Sequence, residues 1–203
     1  MASQQLVALF ILFDACERDL VAQLRTIKLD AGATLLNEEE RQRARGRRQR
    51  RESASSEGLD DHDLLYDLDI GDKFSVLMRH KAALDEVTRT YYTTQTVTIE
   101  KAIPVRNTVM HGRPLTTTEY VTGFSVANEL RKTPAYWPVL ESAFQKFEED
   151  PQAFLTSAIG FLDAERPPET LHNLPEPDYD DTGFLPRPEL ERTFERSWPV
   201  ETR

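Results

Sequence analysis

Cysteine and long apolar runs are scarce in this chain of 203 residues. The one cysteine, Cys16, excludes an internal disulfide framework and fits a reducing compartment. The apolar run from Leu6 to Phe13 is too short for a membrane span, has no basic segment before it, and is followed at once by Asp14 and Glu17. The sequence therefore predicts a cytoplasmic protein without a membrane partner.

Positive charge is also in deficit, since the formal net charge is −10. With 30% charged and 39% hydrophobic residues, the composition is typical of a globular protein with one core and room for an appendage. The negative balance opposes nonspecific binding of nucleic acid. Any contact with RNA must therefore come from a local basic patch.

One such patch lies in the charged segment 37–52, where seven arginines fall within residues 41–51. The segment is either a mobile basic arm that binds RNA phosphates or an exposed helix whose arginines pair with Glu38, Glu39 and Glu40. No aromatic residue interrupts the run, so only electrostatic contacts with RNA are predicted. The predicted RNA-binding residues are Arg41, Arg43, Arg45, Arg47, Arg48, Arg50 and Arg51, with Lys81 and Arg113.

Residues 3–28 have the spacing of a long amphipathic helix. Its apolar stripe consists of Leu6, Phe10, Phe13, Leu20, Leu24 and Ile27. The stripe has one vacant position, occupied by Glu17, whose carboxylate is predicted to turn inward and to need a partner. The candidates are Arg106, a protonated His111 and Lys81, unless Glu17 lies at a solvated edge.

The rest of the chain to about residue 165 also has helical patterns. A second long helix is predicted over 64–92, with Lys81 interrupting the apolar face formed by Ile70, Phe74, Leu77, Leu84 and Val87. Later helix starts are predicted at the capping box of Thr116 and Glu119, at Thr133 with Pro134, and at Asp150 with Pro151. The last helices take their core from Trp137, Phe144, Phe147, Phe154, Ile159, Phe161 and Leu162. Only Tyr91–Ile99 alternates like a strand or an extended loop, and the predicted fold class is all-α.

The acidic cluster around His62 is interpreted as a solvated helix start rather than a metal site. The nearby resemblance to a calcium loop fails, because Asp72 and Met78 stand where that loop requires glycine and glutamate. We therefore predict neither a metal nor a cofactor.

The most informative segment is Arg106–His111. An arginine, then asparagine, then a histidine at this spacing is expected by chance only roughly 0.01 times in such a composition. Arginine matches phosphate oxygens with a planar fork of donors, and histidine changes charge near neutrality. Pro104 as a first helical residue and Gly112 as a stop predict a short helix here. The alternative is that His111 is only a cation at a helix C-terminus, with Arg106 on a solvated face.

The segment IPVRNTVMHGRPL resembles the RNxxxH signature of HEPN domains (higher eukaryote and prokaryote nucleotide-binding), many of which are metal-independent ribonucleases of toxin, antiphage and RNA-processing systems. The resemblance implies a helical bundle over residues 1–165. It also implies that Arg106 contacts the scissile phosphate, that His111 is general base or acid, and that Asn107 orients one of them. Glu17 completes the predicted catalytic set. In this family two motif helices commonly face each other, so a homodimer or higher oligomer is expected.

The composition changes at residue 166, where a Pro-rich acidic tail begins and runs to 203. The stretch TGFLPRPELERTF resembles the lead-in to the nucleotide-binding domain of STAND-type NTPases. No GxxxxGK[ST] element occurs in the sequence. The tail is therefore expected to lead toward an NTPase domain outside this chain.

Two further functions stay open. The chain could be a noncatalytic helical module for dimerisation or for tethering an NTPase. It could also partner a nucleotidyl- or adenylyl-transferase, with Tyr120 as acceptor. A basic groove favours the nuclease, and an apolar groove with a buried His111 favours the module.

Overall fold

A computed structural model describes residues 4–29, 32–52 and 58–156, and this part of the chain is helical without strands. The predicted all-α fold class is confirmed. The helices are α1 (Gln4–Thr26), α2 (Glu38–Glu52), α3 (Asp61–Leu64), α4 (Ile70–Arg79), α5 (Glu86–Met110), α6 (Thr117–Leu130) and α7 (Pro138–Glu149). None of the described helices is long and apolar enough to cross a membrane. The predicted boundary at residue 165 and the tail 166–203 lie outside the described residues.

The central helix is α1, which packs against α4, α5, α6 and α7. Four members of the predicted stripe are buried: Phe13, Leu20, Leu24 and Ile27. The other two, Leu6 and Phe10, are half-buried. Leu9 and Leu12 extend the core to the other side of the helix. Because α1 has neighbours on several sides, its inward-facing polar groups need partners inside the bundle.

The prediction of a single long helix over 64–92 is wrong, because the structure has separate helices there. Asp69 and Asp85 interrupt it, because each accepts a hydrogen bond from the backbone N–H three residues later and so caps a new helix, α4 or α5. Single 3₁₀ turns, Leu65–Asp67 and Lys81–Ala83, lie before and after α4. Val87, predicted for the apolar face, is 72% exposed, because α5 starts a new helical register.

The longest described helix is α5, and it corrects two predictions. The strand-like stretch Tyr91–Ile99 is helical, and Pro104 lies inside the helix rather than at its start. Thr93 and Thr94 adapt to the helix by donating their hydroxyls to backbone carbonyls one turn earlier, at 2.7 Å in each case. Pro104 is on the exposed side of α5, where water can satisfy the carbonyl that a proline leaves without its N–H partner.

The helix α6 lies close to α1 and α5 at Gly123. A β-carbon there would come within 3.0 Å of Val105, 3.1 Å of Leu9 and 3.2 Å of Phe13, so a larger residue would have to push these side chains back by a few tenths of an ångström. The predicted capping box of Thr116 and Glu119 at the start of α6 is confirmed.

The N-terminus of α7 is capped from the central helix. Asp19, which is 2% exposed, accepts hydrogen bonds from the backbone N–H groups of Val139 and Leu140 at 3.1 and 3.0 Å. The predicted start at Thr133 is a turn, and α7 begins at Pro138. The predicted start at Asp150 is confirmed by its N-cap bond from Ala153 and by helical residues 151–156.

The predicted aromatic core is partly confirmed. Three of its members are buried: Trp137, Phe144 and Phe154. Phe147 is partly buried against them. Ile159, Phe161 and Leu162 lie outside the described residues.

Candidate active site

Three helices each contribute one charged side chain to a cluster that we call the ion trio: Glu17 of α1, Lys73 of α4 and Arg106 of α5. Arg106 Nε donates to Glu17 Oε1 at 2.7 Å, and Lys73 Nζ donates to Glu17 Oε2. The exposed fractions of the side chains are 12% for Glu17, 3% for Lys73 and 14% for Arg106. The carboxylate is therefore shared by two cations in a site mostly removed from water.

The two cations keep Glu17 ionised. Burial by itself raises the pKa of this carboxyl, but the charges and hydrogen bonds of Lys73 and Arg106 outweigh burial and lower the pKa below its ordinary value. Glu17 thus stays a carboxylate that holds the guanidinium of Arg106 in one orientation. The predicted inward position of Glu17 and its pairing with Arg106 are confirmed.

The pairing uses only one edge of Arg106. Nη1 makes a long contact of 3.4 Å with Asn107 Oδ1, and Nη2 has no hydrogen-bond acceptor within the described part of the chain. A guanidinium offers five N–H donors in a fixed fork. Arg106 is therefore fixed at Nε and has donors left for an anion. The alternative that places Arg106 on a solvated face is wrong, because the side chain is 14% exposed.

His111 is the C-cap of α5 and is exposed to solvent. The N–H of Gly112 bonds to Val109, and that of Arg113 bonds to Thr108, both at 3.1 Å. This pair of bonds is a Schellman motif, and Gly112 has the positive φ of 59° that the motif needs. The predicted stop at Gly112 is confirmed, and it ends the helix so that the imidazole is open to a ligand.

The predicted motif helix is fastened to α6 as well. Thr108 Oγ1 donates to Glu119 Oε1 at 3.0 Å, while the other oxygen of Glu119 accepts from Thr116 in the capping box. Tyr120, the predicted acceptor for a transferase, is half-buried on the same helix. The last turns of α5 are therefore held from two sides, by α1 at Arg106 and by α6 at Thr108.

Asp69 connects this region to the arginine-rich helix. Its Oδ1 caps α4 and its Oδ2 accepts from Arg47 at 2.9 Å. Burial raises the pKa of Asp69, but the N–H of Asp72 and the charges of Arg47 and Arg106 lower it overall. Arg47 binds Asp69 directly, and the charge of Arg106 also favours the carboxylate form.

The segment 38–52 is a helix, which agrees with the second of the two interpretations of the arginine run and not with a mobile arm. Within the described residues, four of the predicted RNA-binding arginines form ion pairs, mostly with acids of the segment 61–72. The pairs are Arg41 with Asp61 at 2.7 Å, Arg43 with Asp72 at 3.1 Å, Arg47 with Asp69 at 2.9 Å and Arg48 with Asp67 at 3.5 Å. RNA would have to compete with these carboxylates.

The predicted pairing with the preceding glutamates is right in part. Arg41 and Arg43 pair with Glu38 and Glu39. Glu40, which is 3% exposed, instead binds Arg79 of α4 at 2.6 Å. The helix α2 is thus held to the body by ion pairs along its length, from Glu40 to Arg48.

The remaining predicted basic residues differ. Arg45 and Arg50 have no ion pair among the described residues, and the side chain of Arg51 lies outside them. Lys81 and Arg113 are exposed. Lys81 does not pair with Glu17, because Lys73 takes that place. RNA binding by these residues stays a prediction.

Sequence reasoning missed Lys73 and Asp19. Lys73 stands three residues after Ile70 and four before Leu77, inside the apolar stripe of α4. The rule that selected Glu17, a charge at a core position, would have selected Lys73 too. Asp19 has no such signal, because its partner is a helix N-terminus 120 residues later.

Cys16, next to Glu17, is buried and free. Burial and the charges of Asp19 and Glu17 raise the pKa of its thiol, so it is a core residue, as predicted, rather than a nucleophile.

In comparisons with known proteins, the chain matches no family model, no curated protein and no solved structure.

Proposed function

We propose that this protein is a metal-independent RNA endonuclease of the HEPN type. The observation that supports this best is the orientation of Arg106, which is held at Nε by the largely buried carboxylate of Glu17 and leaves Nη2 without an acceptor among the described residues, five residues before an exposed His111. Cleavage of a phosphodiester needs a cation that binds the phosphate and an accessible base, and the last turns of α5 carry both.

In the proposed reaction, a ribose 2′-hydroxyl gives its proton to a base and its oxygen attacks the adjacent phosphorus. The bond from phosphorus to the 5′-oxygen breaks, the leaving oxygen gains a proton, and a 2′,3′-cyclic phosphate remains. His111 is assigned the base or acid role, Arg106 neutralises the charge on the phosphoryl oxygens, and Asn107 orients one of the two. No cofactor is required for these proton transfers.

The proposal includes the setting of the site. RNA is the substrate, and a homodimer would bring two copies of Arg106 and His111 to one groove on the twofold axis. The activity would belong to a defence or toxin system of the cytoplasm, with a STAND-type NTPase domain as regulator. The arginines of α2 are the proposed electrostatic contacts with the RNA.

Cleavage of total RNA in EDTA by the wild-type chain and by His111→Ala tests the proposal. We expect wild-type cleavage to leave 2′,3′-cyclic phosphate ends, and we expect His111→Ala to lose about 100-fold or more of the rate. His80→Ala is the matched control, because His80 lies at the far end of α4 and contacts Leu35. Equal cleavage by wild type and His111→Ala would contradict the assignment of His111.

A second candidate function is a noncatalytic dimerisation module that regulates an NTPase. Val97 on α5 and Val121 on α6, which are 60% and 59% exposed, are apolar side chains that such an interface would cover. The module predicts self-association without RNA cleavage. Light scattering and the cleavage assay, applied to wild type and Val97→Glu, separate the two functions. If the protein is the module, Val97→Glu loses the dimer and neither protein cuts RNA.

A further inference from the structure

The ion trio has an imbalance that a purely structural ion pair would not need. Glu17 and Arg106 alone would neutralise each other, and Lys73 adds a second cation at 3% exposure. A buried cation is costly unless it is paired and hydrogen-bonded, and here two cations have only one carboxylate between them. The trio therefore has a surplus of one positive charge.

The neighbouring charges do not cancel this surplus. Asp69 is the acid whose titration responds to Arg106, but its Oδ2 is bound by Arg47 and its Oδ1 caps α4. Asp72 is bound by Arg43 and Arg47. Asp69 and Asp72 thus have two arginines between them, Arg43 and Arg47, while Glu39, the other partner of Arg43, is 78% exposed and screened by water. The Nη2 group of Arg106, which has no acceptor in the described part of the chain, is where the surplus charge can meet an anion.

We propose that Lys73 is a positioning residue that makes the site at Arg106 attract an anion. Lys73 balances the charge of Glu17, so Glu17 can orient the guanidinium through Nε without cancelling its attraction for phosphate. This role of Lys73 deepens the proposed function. It rests on that function only for the identity of the natural anion, which is taken to be the phosphodiester of RNA. The nearer prediction, that inorganic phosphate binds at Arg106, holds without any cleavage.

Charge substitutions test this role directly. Lys73→Met makes the trio neutral, and Glu17→Gln with Lys73→Met restores a single positive charge on Arg106. Phosphate affinity is measured by NMR titration of inorganic phosphate at constant ionic strength, from the shifts of the amide resonances of residues 106–111. We expect Lys73→Met to weaken phosphate binding about tenfold, and we expect the double variant to recover most of that loss.

Two further variants serve as controls. Lys73→Arg keeps the charge and is expected to bind phosphate like the wild type. Lys132→Met removes an exposed lysine, 62% accessible and paired with Glu129, and is expected to leave the affinity unchanged. Should Lys73→Met not fold, Glu17→Gln is compared with the double variant, and it should bind phosphate about tenfold more tightly.

The outcomes separate this inference from the nuclease proposal. Wild-type binding of phosphate that Lys73→Met does not weaken, or that the double variant does not recover, would overturn the role of Lys73. So would the absence of phosphate binding in the wild type. If the charge series behaves as expected and wild-type protein cuts no RNA, the role of Lys73 stands and the nuclease proposal fails.

Discussion

The ion trio and the helix α2 use positive charge in opposite ways. In the described part of α2, four arginines each form an ion pair with one or more carboxylates, and the arginine side chains are 20–40% exposed. In the ion trio, two cations share one carboxylate and are nearly buried. The number of arginines in a segment is therefore a poor guide to its attraction for anions. The number of counter-ions per cation, and their access to water, decides it.

The largest expected effect is on stability at Glu17. Glu17→Gln keeps the shape of the side chain but leaves two buried cations without their carboxylate, so we expect the free energy of unfolding to fall by about 3 kcal/mol. Urea unfolding followed by circular dichroism measures this. Glu39→Gln is the matched substitution in α2, where the pair with Arg43 is 78% and 40% exposed, and it should cost less than about 1 kcal/mol.

Equal losses for the two glutamate variants would abolish the contrast between the regions. Partial recovery of stability in Glu17→Gln with Lys73→Met would support it further, because removing both charges of a buried pair is less harmful than removing one.

The next effect concerns Asp19, which lies on α1 two residues after Glu17 but, unlike Glu17, has no cation as partner among the described residues. Within the described part of the chain, Asp19 accepts hydrogen bonds only from backbone N–H groups, and burial raises its pKa from 3.8 to about 6 despite those bonds. Between about pH 4 and pH 6 the unfolded chain therefore loses this proton before the folded chain does, and stability falls as pH rises. We expect the stability of wild type relative to Asp19→Asn to drop by roughly 2 kcal/mol from pH 4 to pH 7.

Urea unfolding at a series of pH values checks this drop, with Asp85→Asn as control. Asp85 also caps a helix, but it is exposed, and its bonds to Thr88 lower its pKa. Its contribution to stability should instead be present at neutral pH and be lost as pH falls. The same sign for both aspartates would refute the assigned role of burial at Asp19.

The smallest effect is expected for the α2 arginines in RNA binding. Arg45 and Arg50 have no ion pair among the described residues, so Arg45→Gln with Arg50→Gln should lower RNA affinity several-fold at low salt and reduce the slope of log affinity against log salt by about 1 to 1.5. Arg41→Gln with Arg43→Gln removes paired arginines and should change the slope less. Filter binding of a single-stranded RNA across a salt series gives both slopes. A larger change for the paired arginines would show that RNA displaces their carboxylates.

Sequence patterns predicted the parts of this protein that depend on local chemistry. The capping box at Thr116, the stop at Gly112 and the apolar spacing of α1 each need only a few neighbouring residues. Glu17 was predicted to face inward for the same reason, as a charge in an apolar stripe. The same approach failed for Tyr91–Ile99, because threonine and valine favour strands locally while packing in a long helix overrides that preference.

By itself, the sequence determined the all-α class, the ends of several helices and the presence of a candidate phosphate motif on one helix, because helix periodicity and capping act within a few residues. Only the tertiary structure decided that Lys73 rather than Lys81 meets Glu17, that Asp19 caps α7, and that most arginines of α2 are neutralised. The partners in these pairings are far apart in the sequence: 56 positions for Lys73 and Glu17, 120 for Asp19 and Val139, and about 20 to 30 for the arginines of α2 and their acids. At such separations a charge has many possible partners in the sequence, and the packing of helices around α1 selects one.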